Sequence, residues 1–152
     1  MRPILINNRY PSLSYTIRKV YQMFKELDNF GVYKIPEGEL SIAFVDDSTL
    51  TRLHETYLND PTPTDVMTFP GDPVMDFAGE IVSSVDHAVS ASQERNLPLA
   101  KELTLYLLHG WLHLSGFRDH TKEESKKMRE AESALLKHLE KVKAIPDFSI
   151  IQ

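Results

Sequence analysis

The stretch from Leu99 to Leu114, LAKELTLYLLHGWLHL, with SGFRDH following from Ser115 to His120, decides how this chain is to be read. Leucines at 103, 105, 107, 108, 112 and 114 surround most of a helix, which is the pattern of a buried helix rather than a surface one. Its few polar positions are therefore informative. Glu102, Tyr106, His109 and His113 step by four, three and four residues and so stack along one stripe, facing a cleft if the other faces are packed.

Two imidazoles one turn apart on the same side can both reach one metal ion at about 2.0 to 2.1 Å. Gly116 suits a left-handed turn that ends the helix and brings the chain back, so that His120 approaches the other two. His109, His113 and His120 are the expected ligands of a single divalent ion, with zinc expected. Three neutral nitrogens leave a fourth position for water, which separates a catalytic site from a closed structural one. The competing reading, hydrogen-bonded core histidines and a helix-preceding His120, requires the same coincidence at each position. With no cysteine in the chain, any metal site must be built from His, Asp and Glu.

Outward from this segment the chain alternates short strands and helices. Ile4 to Asn7 reads as a first strand. Leu13, Ile17, Val20, Tyr21, Phe24 and Leu27 form the apolar face of a helix capped by Ser12 or Ser14 and ending before Gly31. Leu40 to Val45 is a strand, and Asp46, Asp47 and Ser48 offer caps for a helix with Leu50, Leu53 and Tyr57 on one stripe, stopping at Asn59 to Pro63. Asp65 to Phe69 is a third strand between Pro63 and Pro70, Gly71 to Met75 a loop, and Glu80 to Ser83 a fourth strand. An Ala-rich helix from about Asp86 to Glu94 precedes the histidine helix. Thr121 and Glu124 match a capping box opening a last helix to about Lys143. Residues 144–152 are expected to be a loose tail on a single domain spanning residues 1–152.

The composition, 41% hydrophobic and 26% charged over 152 residues, is that of a globular chain able to bury a core without disulfides. Met1 to Tyr10 lacks an apolar signal region and no run approaches the ~18 apolar residues of a membrane span, so a cytoplasmic protein without a membrane partner is expected. A net charge of -5 sets aside a broad basic surface of the kind that coats DNA or RNA. A nucleic-acid role would need a local groove, with Arg95 and Lys101, or Lys126, Lys127 and Arg129, as candidates. The second group alternates with Glu123, Glu124 and Glu130 and reads better as a solvated helix face.

The segment His109-Gly110-Trp111-Leu112-His113-Leu114-Ser115-Gly116, closed by Asp119-His120, resembles the signature of the YbeY family of bacterial endoribonucleases, the rRNA maturation factors. Pro63-Thr64-Asp65-Val66-Met67-Thr68-Phe69-Pro70 resembles that family's P-T-D-V-L-S-F-P segment, Gly79-Glu80-Ile81-Val82-Ser83 its G-D-I-x-I-S strand, and Phe44-Val45-Asp46-Asp47 its strand ending. Order and spacing match from about Leu40 to Leu136. The resemblance implies an α+β, zincin-like domain: a mixed four-stranded sheet packed with helices, about five by the segments above. It further implies a zinc ion on His109, His113 and His120. The implied activity is cleavage of single-stranded RNA in maturation of small-subunit ribosomal RNA and ribosome quality control, so the expected partners are ribosomal RNA and the small ribosomal subunit, and not DNA.

Two departures from the pattern matter. Arg118 stands as an extra residue, so Asp119 falls where the family has its third histidine and His120 one place later; Asp119 is thus an alternative ligand, since a carboxylate oxygen also suits zinc. Leu58 falls where the family has an arginine, and a leucine cannot neutralise a phosphate. Arg118 is a candidate to take that part, and is equally read as a plain surface residue.

The general base is not legible. Asp119, or an acid brought in by folding, is a candidate, while Asp65 and Thr68, flanking the third strand, are catalytic-site candidates for orienting substrate or the site, where Asp65 reads equally as a turn cap. Glu102 reads either as a hydrogen-bond partner behind an imidazole or as an acid favoured by the helix dipole. His54, His87 and His138 are expected in solvent-facing or supporting positions. Position 110 is Gly where zinc peptidases carry the Glu of H-E-x-x-H, which weighs against a peptidase. A metal-dependent peptidase and a non-catalytic ribosome-assembly factor with a structural metal remain the rival readings.

Overall fold

The computed structural model describes residues 2–151. Strand β3 (Glu39–Val45) shows how the layers arise. Its residues alternate across the sheet, so Leu40, Ile42 and Phe44 face the larger core while Ala43 and Val45 face a smaller cluster with Leu50, Met67 and Val82. β3 pairs in parallel with β1 (Ile4–Asn8) and β5 (Phe77–Ser84), and β5 pairs antiparallel with β4 (Val66–Asp72). The result is a mixed four-stranded sheet in the order β1-β3-β5-β4.

Among the described residues five α-helices accompany it: α1 (Ile17–Phe30), α2 (Asp47–Leu58), α3 (Val85–Arg95), α4 (Leu99–Leu114) and α5 (Lys122–Lys141). The molecule is thus α+β, as expected. The leucines of α4 explain its place: Leu103, Leu107, Leu108 and Leu112 are fully buried, together with Trp111, whose indole N–H donates to the Tyr33 carbonyl at 2.9 Å. Helix α4 lies against β4 and β5 on one side and against α3 and α5 on the other. Gly110 permits this approach, because a Cβ there would come within 2.6 Å of Ile81 Cγ2. Helix α2, burying Leu50, covers the opposite face.

Several boundaries differ from the sequence reading. Helix α1 starts at Ile17 behind Thr16, not behind Ser12 or Ser14. Leu13 and Ser14 instead form a two-residue strand, β2, antiparallel to β6 (Ser149–Ile150). The expected loose tail is therefore tied down as far as the described residues run: Ala144 and Phe148 are buried, and Asp147 accepts hydrogen bonds from the Thr16 amide and hydroxyl at 2.8 and 2.7 Å. Residue 152 of that tail lies outside the described residues. β4 runs on through Pro70 to Asp72, which an edge strand tolerates because it can turn the missing N–H outward. Most of the expected loop is thus strand and a 3₁₀ turn at Pro73–Met75. The capping box predicted at Thr121 and Glu124 is present.

Candidate metal centre

His109 and His113 occupy the last turns of α4, where the stripe of polar positions emerges from the core half-buried. The turn that ends the helix aims them. The Gly116 amide donates to the His113 carbonyl at 3.1 Å and the Phe117 amide to the Leu112 carbonyl at 3.0 Å, with Gly116 at φ 110°. This pair of bonds is the Schellman ending that a glycine just past a helix supports. The reversal carries the Phe117 carbonyl to 3.1 Å from Nδ1 of His113. A carbonyl only accepts, so Nδ1 carries the proton and Nε2 keeps its lone pair.

His109 is set in the same way by Glu132, reaching across from α5 with Oε2 2.6 Å from Nδ1. Both Nε2 atoms therefore face each other as acceptors, 3.0 Å apart. Two lone pairs at that distance repel unless a proton or cation lies between them. The Asp119 carboxylate adds a third acceptor, Oδ2 standing 3.4 Å from His109 Nε2 and 3.7 Å from His113 Nε2. Ligand atoms of a tetrahedral zinc at about 2.0 to 2.1 Å are roughly 3.3 Å from one another. His109, His113 and Asp119 thus fit a divalent ion in donor chemistry and in spacing.

The histidines differ electrostatically. Burial acts to lower the pKa of His109, but the hydrogen bond and charge of Glu132, with the charges of Asp65 and Asp119, outweigh it and the pKa is raised. His113 lacks such a partner. Burial, then the neighbouring His109, pull its pKa below the ordinary value. The two neighbouring imidazoles are thus shifted in opposite directions.

The expected site residues separate into two sets. His109, His113 and Asp119 converge. His120 does not join them: it is exposed, immediately before the Thr121 cap, with its amide donating to the Glu124 carboxylate at 3.1 Å. Asp119, and not His120, stands over the Nε2 atoms. Arg118 is itself exposed and borders, with Lys127 and Phe117, a hollow of about 360 Å³ beyond the end of α4. Asp65 lies close enough for its charge to be felt at both His109 and Tyr106. Thr68 and His113 line two adjoining hollows, of about 230 and 340 Å³.

Glu102 sits in the first turn of α4, where the helix dipole favours an acid, and is not the hydrogen-bond partner of an imidazole. Although 1% exposed, it accepts from Arg95 at 2.8 Å and does not reach an imidazole. His54 lines the 340 Å³ hollow, His87 packs edge-on to Tyr106, and His138 packs on Phe30 near Glu26. Glu132 was missed by the sequence reading. Its signal was an acid on the inward side of α5, between buried Met128, Ala131 and Leu135, where a solvated face would not put one.

No helix among the described residues is long and apolar enough to cross a membrane. The solution structure of a Thermotoga maritima protein shares the fold, with a TM-score of 0.62 at 23% identity, covering 90% of this chain and 88% of its own. The Endoribonuclease YbeY of Protochlamydia amoebophila is 39% identical over 108 residues, which is 68% of this chain and 72% of that protein. The Endoribonuclease YbeY of Syntrophotalea carbinolica is 31% identical over 144 residues, 89% of this chain and 94% of that one. The Endoribonuclease YbeY family model matches residues 6–140, and with these likenesses it establishes that the chain belongs to the Endoribonuclease YbeY family.

Proposed function

We propose that this chain is a metal-dependent endoribonuclease that cuts single-stranded RNA, working in the cytoplasm in small-subunit ribosomal RNA maturation and ribosome quality control. One zinc ion is held by His109, His113 and Asp119, in a chain read as one domain. The observation that carries this reading is the pair of Nε2 lone pairs 3.0 Å apart, each fixed by an acceptor behind its own Nδ1. Zinc bound there supplies a Lewis acid for a phosphoryl oxygen and an acidified water.

The protein's own groups do the rest. Glu132 and the Phe117 carbonyl hold the two imidazoles in the tautomer that ligation needs, the arrangement expected behind metal-bound histidines. Asp65, whose charge reaches His109, is the carboxylate we assign to accept a proton from the 2′-hydroxyl or the attacking water. Arg118, exposed beside the site, is assigned to contact a phosphate in place of the arginine that Leu58 replaces. His120 belongs to the entry of α5.

Position 110 faces Ile81, leaving no room for the glutamate of a peptidase at that place. A labelled single-stranded RNA and an unstructured peptide, incubated with the zinc-loaded protein, test the assignment. RNA cleavage is expected, falling by about 10²- to 10⁴-fold in Asp65→Asn with zinc retained. Cleavage of the peptide alone would overturn it.

A further inference from the structure

We propose that the hollow between α2 and β4 seats one nucleobase of the RNA beside the cleaved linkage, stacked on Tyr57; this rests on the ribonuclease reading above. The hollow, about 340 Å³, adjoins the metal centre directly, because His113 lines both. Its aromatic wall is Tyr57 at the end of α2, packed edge-on against Phe69 of β4 with ring centroids 5.1 Å apart and an interplanar angle of 72°. Phe69 is half-buried and anchors the pair, while Tyr57 is 63% exposed. Beside it Leu58 is 62% exposed. A well-packed helix end does not usually leave two large neighbouring side chains so open, and both line this hollow.

The chemistry of the lining selects the occupant. Tyr57, Leu58, Val66, Phe69 and Pro70 contribute carbon surface, and the hollow has no Lys, Arg, Asp or Glu in its lining. A phosphate would find no cation there. A base presents a flat face that stacks on an aromatic ring without need of charge, as single-strand binding sites use it. His54, at the rim, has Nδ1 2.9 Å from the Thr62 carbonyl and so carries its proton there. Its Nε2 is left as an acceptor. The strand therefore divides its contacts, a base in this hollow and phosphate towards Arg118, which borders a separate hollow.

The test uses the full zinc-loaded chain and a fluorescent single-stranded RNA, intact or with one abasic nucleotide moved along it. Tyr57→Ala is expected to weaken binding of the intact RNA by about five- to a hundredfold. One abasic position should cause a similar loss, and the two losses together should not add, because they remove the same stack. Tyr57→Phe should rescue Tyr57→Ala, and the exposure of this side chain makes misfolding a poor explanation of any loss. Equal losses for Tyr57→Ala on intact RNA and on RNA abasic at each position, or no loss at all, would overturn the base subsite while leaving a parent that still cleaves RNA. A parent that neither binds nor cleaves RNA would remove the ribonuclease reading, and this proposal with it.

Discussion

The two halves of the candidate metal centre were built under different rules. His109 and His113 stand on a helix whose leucines lock its rotation, so their mutual position comes from the 3.6-residue period. Asp119 and His120 stand in the connection between α4 and α5, where Asp119 reaches the site and its neighbour His120 does not. Burial fixes the first pair. Local hydrogen bonds fix the second, notably the Phe117 carbonyl on His113 and Glu124 on the His120 amide. A helix tolerates no register error without losing its core, whereas a connection can absorb one.

The strongest way to break this contrast is at the connection itself. Asp119→Ala is expected to weaken zinc binding by more than the ~10- to 100-fold typical of losing a supporting partner, while His120→Ala keeps stoichiometric metal. Competition titration with a chromophoric chelator reads both. The reverse ranking would return the third ligand to His120 and show that the connection rearranges around the ion.

The helix half is tested by Leu108→Ala, expected to cost about 2 to 5 kcal/mol through lost burial and the cavity left behind. Denaturant midpoints check this, and a midpoint equal to the parent's would show that the helix is not locked as argued.

Glu132→Gln should lower zinc affinity by about 10- to 100-fold without unfolding the chain. It also has a pH signature. Glu132 raises the His109 pKa, so protons compete with the metal at higher pH than at an ordinary imidazole, and affinity falls as pH drops through that raised pKa. Removing the charge lowers that pKa, and the acid edge of zinc binding should move to lower pH. An edge that stays put would mean Glu132 does not set the basicity of His109.

The smallest expected effect concerns Arg118. Arg118→Ala should leave metal content unchanged and reduce the salt slope of RNA binding by about 0.7, the value of one phosphate contact on a single strand. An unchanged slope would leave Arg118 as a surface residue.

Legibility in the sequence divides along the same line. The α4 stripe, the Gly116 ending, the Thr121 capping box and the inner strands all rest on local patterns a few residues long, and these were readable. The pairing of β2 with β6 was not, because Leu13 and Ile150 lie at opposite ends of the chain and each strand is too short for a period to register. Pro70 read as a break because proline forfeits a donor, and only knowledge that β4 is an edge strand removes that objection. Glu132 was invisible to a reading centred on α4, since it meets His109 from 23 residues away. Asp119 was legible only as an alternative, because spacing cannot say which of two adjacent side chains a turn will point inward.

The most direct test of the central claim is zinc content by elemental analysis, measured on parent and His113→Ala alongside cleavage of a single-stranded RNA before and after chelation. One ion per parent chain is predicted, with metal and cleavage both lost in His113→Ala, and parent cleavage abolished by the chelator and restored by added zinc. Full metal in His113→Ala, or undiminished cleavage by the chelated parent, would contradict a metal centre built on the α4 histidines.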